Sequence, residues 1–161
     1  MLELFRKVGI YMDRSFRGFI AGVVAGLVLN AFNLICYYPL HLVKIRFIDW
    51  SSIIVISGRP ETLLEITESL FHQLMWDGAL GIIFAHLIPQ VTSRGYLLKG
   101  AFYGYILAFI FRSIVELYRV PFLTDGKVPS MTTILNTIGV LLWGLVLAAV
   151  LKKFDKTAAK T

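Results

Sequence analysis

Charge, cysteine and catalytic motifs are what this sequence is short of. Only 16% of its 161 residues are Asp, Glu, Lys or Arg, against about 25% in an ordinary soluble domain. A single cysteine, Cys36, excludes an intramolecular disulfide and reads as a small apolar side chain inside the first apolar run. The three histidines show no H-x-x-x-H spacing, and no paired cysteines accompany them. His72 and His86 share a helical face but stand ~21 Å apart by rise, and His86 falls on the face opposite Asp77. No metal and no cofactor are therefore expected. There is no phosphate-binding loop and no GxSxG setting for a serine nucleophile, so the chain reads as non-enzymatic. An outer-face membrane hydrolase or transferase would have to be built on Asp49, His72 or Asp77.

What the chain has instead is long apolar runs, with 57% hydrophobic residues and a mean hydropathy of +0.74. Gly18–Tyr38 and Val128–Leu151 carry no formal charge, Ser69–Ser93 carries only Asp77, and Gly95–Leu117 carries Lys99, Arg112 and Glu116. A bilayer core is roughly 30 Å thick and takes ~20 helical residues to cross. The expected fold is all-α and integral to the membrane: a four-transmembrane-helix bundle with an interfacial outer loop or helix. Residues 1–161 form one membrane domain, with spans at about 16–38, 69–91, 95–117 and 130–151 and the outer loop at 39–68. The first span is read as a retained anchor. Asn33-Leu34-Ile35-Cys36 faintly evokes a lipoprotein cleavage site, but Ile35 is bulky where a small residue is needed. The run also exceeds a signal core of ~7–15 residues.

Orientation follows from the cations. With four spans, the N-terminal segment, the middle hairpin and the tail share one side and hold ten Lys and Arg; the other side holds six. The positive-inside rule then puts both termini in the cytoplasm of a multi-pass plasma-membrane protein. Bases at span ends, rather than on one face, argue against nucleic acid as a partner. The lipid bilayer is the expected one.

Residues 1–15 read either as an amphipathic lead-in on the inner surface or as an extension of the first helix. His41–Trp50 suits a segment lying in the interface. Ser51–Ile56 is too short to span and is expected to dip into the interface or pack on the bundle. Pro60 is placed to open a helix whose acidic first turns, Glu61, Glu65 and Glu68, lead into the second span. Lys152-Lys153 stops the fourth span, and Thr157–Thr161 reads as a disordered tail.

A weak internal echo links Arg17-Gly18-Phe19-Ile20 with Arg94-Gly95-Tyr96-Leu97, Tyr38-Pro39 with Val120-Pro121, and Trp76 near Gly78 with Trp143 near Gly144. A duplicated helical hairpin with parallel repeats explains it, as does chance similarity among glycine-rich spans. Gly18, Gly22 and Gly26 form a GxxxGxxxG stripe of the glycine-zipper type, repeated as Gly100, Gly104 and Ala108 and, shorter, as Gly144 and Ala148. Such stripes let backbones approach closely. They serve either packing within the bundle or a homo-oligomer interface through span one or three.

The polar residues of the spans collect toward the outer side: Asn30 and Asn33, then His72, Gln73 and Asp77, then Arg112 and Glu116, then Asn136. If spans two and three pair as a hairpin, Gln73 is level with Arg112, and Asp77 lies about one turn, roughly 6 Å, deeper. A carboxylate in hydrocarbon needs a partner, so an Asp77–Arg112 pair is expected; Arg112–Glu116 at i,i+4 is the alternative. This outer polar layer reads as a hydrogen-bond layer fixing register, as a vestibule for an ion, small solute or lipid headgroup, or as residues in the headgroup zone.

The glycine-rich first span, Asp49-Trp50, Gly100-Ala101-Phe102-Tyr103-Gly104, Leu135-Asn136-Thr137-Ile138 and Trp143-Gly144 together resemble small four-span bacterial membrane proteins of the YqhR kind. The chain departs from them in lacking a long acidic N-terminal tail and in its own Asp77 and Arg112. The resemblance implies a bacterial plasma-membrane protein of unknown function and transfers no catalytic residue. The functional expectation is a non-enzymatic accessory or scaffold subunit, associating through glycine faces. A small transporter or channel-like oligomer, its ligand unknown, is the second reading.

Overall fold

The computed structural model describes residues 13–90, 95–120, 123–124 and 126–158. Among these residues there are five α-helices and no strand: α1 (Arg14–Tyr37), α2 (Ile48–Ile56), α3 (Leu63–Leu87), α4 (Tyr96–Tyr118) and α5 (Ser130–Ala158), with a 3-10 turn, Ile88–Gln90, extending α3. Three helices, α1, α4 and α5 over Ser130–Lys156, are long and apolar enough to cross a membrane. The chain is thus all-helical and built for a bilayer. α3 has the length, at 25 residues, but Glu65, Glu68, His72, Gln73, Asp77 and His86 dilute its apolar composition. The inner-surface lead-in up to residue 12, the hairpin at Thr92–Ser93, Asp125 and the last three residues lie outside the described residues.

Local chemistry sets the helix ends. Asp13 caps α1, its Oδ1 accepting from the Phe16 N–H at 2.6 Å, and Pro39 follows the last turn. Thr62 and Glu65 form a reciprocal capping box at the start of α3. The backbone N–H groups of Thr62 and Glu61 hold the Glu65 carboxyl below its ordinary range. Pro60 does not open the helix; it precedes the cap and is buried. Gly95 caps α4 in the left-handed region at φ 74°, which a side chain would strain. α5 does not fray at Thr157: the helix runs to Ala158.

Helix packing follows the glycines, not the order of the chain. α1 packs along α3, α4 along α5, and α1 against α5, while α2 lies on α3. At the first contact Gly18 and Gly81 face each other, Ala85 lies beside Gly18, and Gly22 sits against the Asp77 carbonyl. At the second, Gly100 and Gly144 face each other, Ala148 lies beside Gly100, and Gly104 sits against the Val140 carbonyl. The two helix pairs therefore use one rule, in a register the sequence echo misses. Gly100, not Gly95, is the counterpart of Gly18, since Gly95 is exposed with no neighbour near it. Nor is Trp76 the counterpart of Trp143: it is 52% exposed, against 3% for Trp143. The same register matches Ser69 with Thr132 and Gln73 with Asn136, and it sets Pro39 as far behind Gly18 as Pro121 stands behind Gly100.

The glycine stripes are consumed inside the bundle. Of the two uses open to the stripes, packing within the bundle is the one seen, because Gly18, Gly22, Gly26, Gly100, Gly104 and Gly144 all have neighbours where a Cβ would go. Between the two pairs runs one core of Ala21, Ala25, Leu29, Leu80, Phe84, Trp143, Leu147 and Leu151. Near the start of α1 Arg17 pairs with Asp155 at 2.9 Å, and Arg14 Nε donates to the Ala85 carbonyl at 2.6 Å, tying α1 to α5 and α3.

Candidate functional site

The connection between α1 and α3 folds as a cap on the end of the bundle. Val43, Ile45 and Ile48 are buried together with Arg46, Asp49 and Ser52. Of the charged residues in this segment only Lys44 is exposed. Arg46 Nη2 meets Asp49 Oδ1 at 2.8 Å, its Nε donates to the same oxygen at 3.0 Å, and its own N–H donates to Asp49 Oδ2 at 2.8 Å. The remaining donors reach Tyr38 Oη and the Pro60 carbonyl, each at 3.0 Å, and the guanidinium lies 5.2 Å from the centre of the Tyr37 ring. Burial opposes the charge on Arg46, but the Asp49 carboxylate outweighs it and holds the guanidinium above its ordinary range. One ion pair thus joins the end of α1, the start of α2 and the turn before α3. Sequence reasoning placed both residues at the membrane interface; their i,i+3 spacing within an apolar run was the signal for a buried pair.

Beneath the cap stands Asn33, whose Nδ2 donates to Asn136 Oδ1 and whose Oδ1 accepts from the Phe47 N–H, both at 3.0 Å. It locks α1 to α5 and to the cap. One turn deeper, Asn30 Nδ2 donates to the Gly26 carbonyl at 2.9 Å. On α3, Ser69, Gln73 and Asp77 recur at i, i+4 and i+8, and all three are buried. Ser69 Oγ, Gln73 Oε1 and Asp77 Oδ2 have no hydrogen-bond partner. The Asp77 side chain fills the space beside Gly26 that a side chain there would occupy. Trp143 is within electrostatic reach of this carboxyl, yet its Nε1 also lacks a partner.

The remaining candidates lie elsewhere. The Asp77–Arg112 pair does not form, because α3 and α4 are not packed neighbours. They meet through side chains, with Tyr103 Oη donating to the Leu80 carbonyl at 2.9 Å and Phe84 against Tyr96 and Tyr103. Arg112 is exposed and makes a long bond of 3.5 Å to Thr133 Oγ1. With Glu116, Trp50 and Asn136 it lines a cavity of about 20 Å³, enough for about one water. His72 is exposed, its Nδ1 2.9 Å from the Glu68 carbonyl of its own helix. The single outer layer thus divides into an inner column (Asn30, Asn33, Gln73, Asp77, with Asn136 at its edge), a separate Arg112–Glu116 cleft, and an outlying His72.

Among the described residues no three His, Cys, Asp or Glu side chains gather as a metal set. Ser69, Gln73 and Asp77 span two helical intervals of ~6 Å each, far more than a coordination sphere with ligands at about 2.3–2.6 Å. They form a line of single polar sites, not a cage. No protein-family model, curated protein or solved structure matches this chain.

Proposed function

We infer that α3 crosses the membrane with the other three long helices and that the protein is a four-span, non-enzymatic plasma-membrane subunit of accessory or scaffold type. The observation that carries this is the segregation of α3. Its polar residues Ser69, Gln73 and Asp77 are buried, Asp77 beside Gly26 of α1, while Phe71, Met75, Trp76, Ile83 and Leu87 are exposed, with His72 and His86 the exposed polar residues among them. A helix too polar by composition can still offer lipid an apolar face when its polar side is covered by protein. The resemblance to proteins of the YqhR kind belongs to the same proposal, as do cytoplasmic termini. Self-association would use faces other than the glycine stripes.

Topology is open to cysteine labelling, with a quiet background because Cys36 is buried. Cysteines at Ser57 and Thr157 are expected to react from opposite sides of sealed vesicles. Labelling of both from one side means that α3 stays out of the membrane and leaves three spans.

The second reading, a small transporter, draws on the line of unpartnered atoms at Ser69, Gln73 and Asp77. Under the scaffold reading, vesicles holding the purified protein pass ions no faster than lipid alone, and Asp77→Asn and Arg112→Gln change nothing in that assay. Flux that disappears in Asp77→Asn, with folding intact, decides for the transporter.

A further inference from the structure

α4 is the least buried of the three membrane-crossing helices: 17% of its apolar stretch is covered by protein, against 44% in α1 and 33% in α5. Along its open side Leu98, Phe102, Tyr105, Phe109, Arg112 and Glu116 recur at alternating steps of four and three residues, and all six are exposed. Such a seven-residue rhythm marks one face of a helix, the seam along which two helices pack in a left-handed supercoil. Its first four positions are apolar or aromatic; the last two are a cation and an anion. Neither Arg112 nor Glu116 belongs to an ion pair among the described residues, not even with each other across one turn. The cleft they share with Trp50 and Asn136 holds about one water, too little to hydrate two charges. Nor do they end the apolar surface, since Ile114, Leu117 and Tyr118, around and beyond them, are exposed as well.

Lipid chains cover Leu98 to Phe109 as well as protein does, but they offer the two charges nothing, and an unpaired charge in hydrocarbon is costly. Opposite charges one turn apart on one helix are self-complementary. Copies in a membrane share one orientation, so a second α4 meets the first in parallel, about an axis along the membrane normal, and every contact is made twice. Arg112 then stands one turn, ~6 Å along the axis, from the partner's Glu116, within reach of its long side chain. We propose that this face of α4 is the interface of a parallel homodimer, with Leu98, Phe102, Tyr105 and Phe109 in the seam and two reciprocal Arg112–Glu116 pairs at one end of it. The interface names the face by which the subunit proposed above self-associates. It rests on α4 crossing the membrane, not on the route of α3, and it leaves the glycine contact between α4 and α5 intact.

The test joins disulfide cross-linking in native membranes to the oligomeric state of the purified full-length protein. Phe109→Cys lies in the seam and should cross-link to its own copy under mild oxidation. Ile110→Cys, exposed on the same helix but about 100° round it, should not, and the buried Cys36 stays silent. Arg112→Glu and Glu116→Arg each set like charges across the seam and should weaken self-association at least about tenfold. Mixed together, the two variants should associate as the wild type does, because each then meets the opposite charge in the other; a side chain that merely supported its own fold would not be rescued this way. Far-UV circular dichroism matching the wild type shows that the variants are folded, and where one is not, the cysteine pair decides alone. Absence of cross-linking at Phe109→Cys, stronger cross-linking at Ile110→Cys, undiminished association of the single variants, or no recovery in the mixture overturns the interface. A protein that associates through another face stays oligomeric while Phe109→Cys fails to cross-link, so this interface can fail with the scaffold reading intact. A labelling result that removes α3 from the membrane changes none of these outcomes.

Discussion

Gly144→Ala is expected to destabilise the protein by at least the ~1–3 kcal/mol of an overpacked core. A Cβ at this position points into the Gly100 carbonyl and the Ala101 Cα of α4. These are backbone atoms, so no rotamer change relieves the contact and the two helices must move apart. Gly81→Ala is expected to behave the same way, since its Cβ meets the Gly18 carbonyl and the backbone of Gly22. Gly58→Ala is the control: the nearest atom to its added Cβ is the Ile56 carbonyl oxygen at 3.8 Å, an ordinary contact, and the change should stay within about 0.5 kcal/mol. Thermal melting in one detergent, read alongside oligomeric state, checks all three. Variants of Gly81 and Gly144 that melt like wild type but lose self-association would show that the glycines serve contacts between chains, against the packing described above.

Asp49→Ala is expected to have a comparable or larger effect. It leaves Arg46, buried and already bonded to Tyr38 and Pro60, without its counter-charge. Breaking a buried pair from one side costs about 3–5 kcal/mol, whereas replacing both partners by apolar groups of similar size is often neutral. The double variant Arg46→Met/Asp49→Leu should therefore melt above Asp49→Ala. Loss of the cap should also expose Ser52 and Ser69, both fully buried in the native protein, to hydrogen exchange around α2 and the start of α3. Equal melting of Asp49→Ala and wild type would remove the ion pair from any part in holding the cap.

The expected Asp77–Arg112 pair shows how polar residues read from sequence can be wrongly connected. Asp77 and Arg112 were identifiable as polar residues in apolar runs, and pairing them assumed that helices joined by a short hairpin lie side by side. α3 presents Gly78, Gly81 and Ala85 to α1, while α4 presents Gly100 and Gly104 to α5. Close approach of backbones along those small-residue faces outweighs adjacency in the chain. The α3–α4 seam is left to the larger side chains Phe84, Tyr96 and Tyr103, which hold the backbones apart.

The sequence by itself determined the solvent and the class. Runs of about 20 residues with few charges require helices in lipid, and the small residues at four-residue spacing marked the faces on which those helices pack. Composition also made α1, α4 and α5 readable as membrane-crossing. Only the tertiary structure decided which small-residue face meets which, because every such face is locally compatible with every other. It alone showed Arg46 and Asp49 as a buried staple, since burial depends on what folds over a segment and not on the segment itself. It alone separated Asp77 from Arg112, because a partner within reach is a property of three-dimensional neighbours, and spacing along one chain does not supply it.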